Sequence, residues 1–305
     1  MRGSPRRSGR ALHLGVQGRA WAFVQTVTAC LTVACGQPEP AREVDPSTGR
    51  AALGTAPMHT ARVWVVSQTE TSTQAGASFL RSRHPDTPSL RQVIDGLPLL
   101  ANEVALDSCQ AVDLPRTLST LFESAAASNA SAVLLDAGDL TLWALGPRPS
   151  GGGAPTTLRP GPFPDLLPFL GGVAYTGALA PPLADAASVL VTSSGTEDVA
   201  PFSVRAPWPR PPQAAVQPSA GDTTWSLRWA PGGPGEPTEL LITVIGADGL
   251  PRQRCRARDD GEFELRALGA WLDVGRLSRQ SFTLPEFDFA ELWLEARSRL
   301  TLPPR

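Results

Sequence analysis

The strongest constraint on the fold is a period of two. Trp225, Leu227 and Trp229 alternate with Ser226 and Arg228, the pattern of a strand with one buried face. Glu239–Ile245 carries apolar residues on both faces and reads as a central strand. Further strand signals are Arg62–Val66, Ala77–Leu80, a stretch from Glu103 to Leu114, Val173–Leu179, Ala187–Thr192 and Leu292–Leu302. Leu118–Ala127 is expected to be a short helix and Leu268–Val274 a helical turn. The fold class is therefore mainly all-β, organised as two β-sandwich-like domains after a disordered tether.

Two stretches read as hairpins. In "SAVLLDAGDLTLWAL" (131–145), apolar runs flank Asp136-Ala137-Gly138-Asp139, a short connection with a glycine. In "RQRCRARDDGEFELRA", Arg252, Arg254, Arg256 and Arg258 fall on one face of a strand, and Gln253, Cys255 and Ala257 on the other. Asp259-Asp260-Gly261 supplies a turn. Its register sets Arg258 opposite Glu262 and Arg256 opposite Glu264, pairs that contribute about 0.2–1 kcal/mol each. The expected arginine face is solvated and internally matched; the competing reading is a grip for phosphate, sulfate or uronate.

"PRPSGGGAPTTLRPGPFPD" (147–165) reads as loop. The best boundary is "APWPRPPQ", because five prolines within 207–218 make a stiff, extended linker. The expected organisation is 1–34 leader, 35–60 tether, 61–206 β-rich domain, 207–218 linker and 219–305 second sandwich.

The leader has its own signature. Arg2, Arg6, Arg7, Arg10 and Arg19 precede any acidic residue, and no charge occurs from Ala20 to Ala34. That run is shorter than the roughly 20 apolar residues a spanning helix needs. A basic lead, a short apolar run and a small-residue exit make a secretory signal. Leu31-Thr32-Val33-Ala34-Cys35 resembles the lipobox of bacterial lipoproteins. The resemblance implies cleavage between Ala34 and Cys35 and lipidation of Cys35, with Cys30 (in Val27-Thr28-Ala29-Cys30) as the alternative. Thr32 departs from that pattern, since the family's leucine falls one place earlier, at Leu31. The resemblance also implies a membrane anchor in the cell envelope, on the outer membrane since Gly36 follows the cysteine. The back half resembles the immunoglobulin-like sandwiches of exported bacterial proteins; the antibody-type Cys…Trp…Cys spacing is absent, since this half holds one cysteine.

Charge and composition narrow the partners. All 27 basic residues are arginine, the usage of a GC-rich genome. Five precede Cys35, which leaves 22 against 29 acidic residues and disfavours nucleic acid as a partner. The partner expected is an envelope protein or a glycan, and no cofactor is implied. Cys109 and Cys255 are the remaining cysteines; an exported compartment permits a bridge between them, and two buried thiols are the alternative.

Catalytic signals are sparse. His59 and His84 are the histidines beyond the leader, and Ser193-Ser194-Gly195 lacks the elbow of the hydrolases. Asp259-Asp260-Gly261-Glu262 has too few carboxylates at calcium-loop spacing. The expected function is a lipid-anchored, non-catalytic binding or structural protein. The alternatives are an exported hydrolase of polysaccharide or peptide, using carboxylates such as Glu197 and Asp198 or Glu286 and Asp288, and an accessory subunit of an envelope assembly.

Overall fold

Strands dominate, as the period-two patterns require. The structure, a computed structural model, describes residues 58–69, 72–83, 104–112, 131–146, 154–163, 170–179, 183, 186–219, 224–233, 239–266 and 269–303. In chain order the strands begin with β1 (Met58–Thr69), β2 (Ser72–Arg83), β3 (Ser108–Ala111), β4 (Ser131–Leu134) and β5 (Leu140–Leu145). Then come β6 (Thr156–Leu158), β7 (Gly161–Pro162), β8 (Leu170–Leu179), β9 (Ser188–Ser193), β10 (Phe202–Pro207) and β11 (Ala214–Pro218). The last are β12 (Thr224–Trp229), β13 (Glu239–Ile245), β14 (Pro251–Arg258), β15 (Glu262–Arg266), β16 (Trp271–Ser281) and β17 (Phe289–Thr301).

One ten-stranded sheet, ordered β3-β14-β13-β16-β17-β1-β2-β4-β8-β7, forms the base. A four-stranded sheet, β10-β9-β5-β6, and a three-stranded sheet, β11-β12-β15, are layered over it. The four-stranded sheet packs over β1, β2, β8 and β17, burying Val63, Phe79, Tyr175, Leu292 and Leu294 against Leu140, Leu142 and Val191. The three-stranded sheet packs over β13, β14 and β16, burying Ile242, Val274 and Cys255 against Trp225, Leu227 and Leu265. The register places Leu292 with Val63, and Val274 with Ile242, on one face of the base sheet. Both small sheets therefore lie on the same side.

This corrects the expected division into 61–206 and 219–305. The two sandwich-like cores are present, but they share a sheet: β17 pairs in parallel with β1, from Thr60↔Phe289 to Ser67↔Ala296. Residues 53–305 form one compact unit. Nor is 207–218 a free linker. Pro207 ends β10, Ala214–Pro218 form β11, and Trp208 is buried in the first core. The segment is a strap across the seam between the two cores. Arg276 donates to the Arg210 carbonyl (3.2 Å) and the Ala230 carbonyl (2.8 Å), and Ser298 Oγ donates to the Pro212 carbonyl (2.8 Å).

Both expected hairpins are crossings between sheets. β4 pairs with β2 and β8, whereas β5 pairs with β6 and β9. β14 pairs with β13 and β3, whereas β15 pairs with β12, setting Glu262 opposite Arg228 and Glu264 opposite Ser226. Part of each connection turns inward, which a hairpin turn would not require, while Asp139 and Asp260 stay exposed. Asp136 accepts from the Tyr175 hydroxyl and the Gly138 amide, each at 2.8 Å, and Ala137 is fully buried. Burial pushes the Tyr175 hydroxyl above its usual range, with Asp136 adding to the shift.

Three smaller expectations also change. Of the expected helical turn Leu268–Val274, residues 271–274 open strand β16, the stretch 147–165 contains the short strands β6 and β7, and β1 already begins at Met58, inside the expected tether. Cys30, Ala34, Cys35, His84 and the expected helix Leu118–Ala127 lie outside the described residues.

Candidate functional site: a charged outer sheet face

The face of the base sheet opposite the two small sheets carries a cluster of ten charged side chains. Its residues come from alternate positions of five strands: Arg62, Trp64 and Val66 in β1, Glu239 and Leu241 in β13, and Arg254 and Arg256 in β14. Asp273, Gly275, Leu277 and Arg279 come from β16, and Glu291, Trp293, Glu295, Arg297 and Arg299 from β17. The arginines of β14 are expected to be solvated; Arg252 and Arg258 are exposed, and Arg254 and Arg256 only partly so. Nearer the middle of the face Trp293 is 0 % exposed and Glu295 2 %, and Val66, Leu241 and Leu277 are buried beside them.

Six of these residues are arginines and four are carboxylates, so pairing decides what the face can do. Arg256 grips Glu239 through Nε (2.9 Å) and Nη2 (2.5 Å). Arg297 grips Glu295 at 2.6 and 2.9 Å, and Arg299 grips Asp273 at 2.6 and 2.8 Å. These are the bidentate forks that suit guanidinium and carboxylate best. Arg62 lies 3.5 Å from Glu291, and Arg279 lies 3.5 Å from Glu239. Arg279 also stacks over Trp293, 4.5 Å from its ring centre, and Arg62 approaches the same ring at 5.6 Å. Gly275 opens space in the middle: a Cβ there would collide with the Glu295 carboxylate.

Arg254 is the exception. Its Nη1 is buried and has no hydrogen-bond partner. Burial first, and then the charge of Arg297, lower its pKa to about 10, with Glu295 acting the other way. Burial also opposes the charge on Arg297, but the Glu295 carboxylate outweighs it and leaves that pKa raised. A buried donor without an acceptor is costly, and a buried charge more so. Trp293 Nε1 is a second buried donor on this face without a partner.

The sequence exposed half of this site. The arginines of β14 stand out on period alone. The alternation of Glu291, Trp293, Glu295, Arg297 and Arg299 with Leu292, Leu294 and Ala296 is an equally clear signal of this face. Their convergence depends on strand order, which no spacing encodes.

The other candidates lie apart. Cys109 and Cys255 are joined by a disulfide across the β3–β14 pair, linking positions 146 residues apart. Asp259 does not sit in a solvated turn. Its carboxylate accepts from Trp229 Nε1 (2.7 Å) and the Gly232 amide (3.1 Å) and pairs with Arg276 at 2.7 Å, the two side chains 2 % and 5 % exposed. Glu197 and Asp198 occupy an exposed connection in which the Asp198 amide donates to Thr196 Oγ1 at 3.2 Å. Asp288 caps the His59 amide at 2.9 Å, and the His59 ring contacts the Glu286 carbonyl through Nδ1 at 2.6 Å. Ser193 Oγ donates to the Ala137 carbonyl at 2.5 Å and accepts from the Gly195 amide at 2.9 Å. Among the described residues, no group of three or more His, Cys, Asp or Glu is placed to hold a metal ion.

Comparison with known proteins returns no matching family and no matching curated sequence.

Proposed function

We propose that this chain is a lipid-anchored, non-catalytic component of a bacterial cell envelope, tethered through Cys35 and binding an envelope protein or glycan. The observation that carries the reading is the leader itself: five arginines, an uncharged run and Leu31-Thr32-Val33-Ala34-Cys35 in the right order. Acyl chains contribute about 0.8 kcal/mol per buried methylene, so two or more anchor a protein stably. The Cys109–Cys255 disulfide supports an oxidising compartment. The charged sheet face supports a binding role, because it gathers arginines from β1, β14, β16 and β17, a residue type that anchors interfaces.

Mass spectrometry of protein from the membrane fraction tests the anchor. A diacylglyceryl peptide beginning at Cys35 is expected, and Cys35→Ser is expected to move the protein into the soluble fraction. An unmodified N-terminus away from Cys35 would turn the reading towards a freely secreted protein, and towards the hydrolase alternative with it.

A further inference from the structure

We propose that the outer face of the ten-stranded sheet holds an oxyanion (a phosphate, sulfate or carboxylate) at Arg254. The proposal stands whether or not Cys35 is lipidated. Its basis is the distribution of partners. Every carboxylate among the central strands of that face is engaged by another arginine: Glu239 by Arg256, Glu295 by Arg297, Asp273 by Arg299 and Glu291 by Arg62. Arg254 engages none of them, and its Nη1 is nevertheless buried without an acceptor. Like charge makes the position worse, since Arg297 disfavours the charged form of Arg254. A folded chain leaves a buried guanidinium donor unsatisfied only at a cost, and an oxyanion removes both the vacancy and the repulsion.

The chemistry of the site selects the ligand class. Guanidinium groups present donors in a planar fork that matches two oxygens of phosphate, sulfate or carboxylate. A cation would leave the donor unsatisfied and add to the charge excess, and a neutral apolar group would relieve neither. The row through Arg254 runs Gln110, Arg254, Thr243, Asp273, Arg299 across β3, β14, β13, β16 and β17. Arg254 is thus one strand from the sheet edge, beside the exposed Gln110.

Thermal unfolding of the purified full chain tests this, with phosphate, sulfate and glucuronate each compared against chloride at matched ionic strength. For the wild type, a rise in Tm of about 5–10 °C is expected at a hundredfold excess over the dissociation constant. Arg254→Met keeps the stem and removes the charge. It is expected to abolish the response and to leave the anion-free Tm equal or higher, whereas Arg258→Gln, at the exposed end of β14, keeps the full response. A response to phosphate and sulfate alone identifies an inorganic ion or a phosphoryl or sulfuryl group. A response to glucuronate as well extends the ligand to acidic sugars. The proposal is overturned if the wild type responds to none of the three, or if Arg254→Met responds equally. An anion-free Tm of Arg254→Met well below wild type would also sink it, since Arg254 would then already have its counter-charge.

Discussion

Asp259 turns inward and gives its carboxylate to Arg276, Trp229 and Gly232, while Asp260 beside it stays exposed. In the sequence the two are interchangeable turn residues, and only the seam between the cores separates them. Removing one partner of a buried pair strands the other charge, so Asp259→Ala is expected to lose about 3–5 kcal/mol. Asp260→Ala should stay within about 0.5 kcal/mol of wild type. Urea unfolding followed by tryptophan fluorescence measures both, and equal losses would contradict the buried pairing. Gly275→Ala tests the opposite face. A methyl there must displace the Glu295 carboxylate from Arg297, and overpacking of this kind costs about 1–3 kcal/mol.

Strands were legible because period two survives any tertiary arrangement: Trp225, Leu227 and Trp229 are buried, and Ser226 and Arg228 are more exposed. Pairing was not legible. Asp136-Ala137-Gly138-Asp139 and Asp259-Asp260-Gly261 have hairpin composition, yet both carry the chain from one sheet to another. Composition reports that the backbone turns, and says nothing of whether the next strand pairs or packs. Arg256 discriminates the two geometries. A double-mutant cycle between Arg256 and Glu239 is expected to show a coupling of about 0.5–3 kcal/mol. The Arg256–Glu264 cycle of the hairpin register should show none. The disulfide belongs to this scale too, because it ties the four-residue edge strand β3 to β14. Replacing Cys109 and Cys255 together by serine is expected to cost about 2–5 kcal/mol in chemical denaturation, with amides of β3 losing hydrogen-exchange protection first.

Across the whole molecule, the proline-rich stretch is stiff without separating two domains. The same prolines lay a strap over the seam, where Arg276 and Ser298 take its carbonyls. The last strand then returns to the first, and β17 carries side chains of both cores: Leu292 and Leu294 in one, Leu300 and Leu302 near its end in the other. Neither core can come apart without breaking β17 from β16 or from β1. A fragment of residues 219–305 would expose Leu292, Leu294 and Trp293 and lose the bridge to Cys109, and a fragment of residues 58–206 would lose β17 from beside β1. Neither is expected to unfold cooperatively alone. The intact chain should instead melt in a single calorimetric transition, with calorimetric and van't Hoff enthalpies in agreement. Amides of β1 and β13, one under each small sheet, should exchange at the same free energy of opening. Two transitions, with β13 surviving the loss of β1, would mean that the shared sheet does not couple the cores.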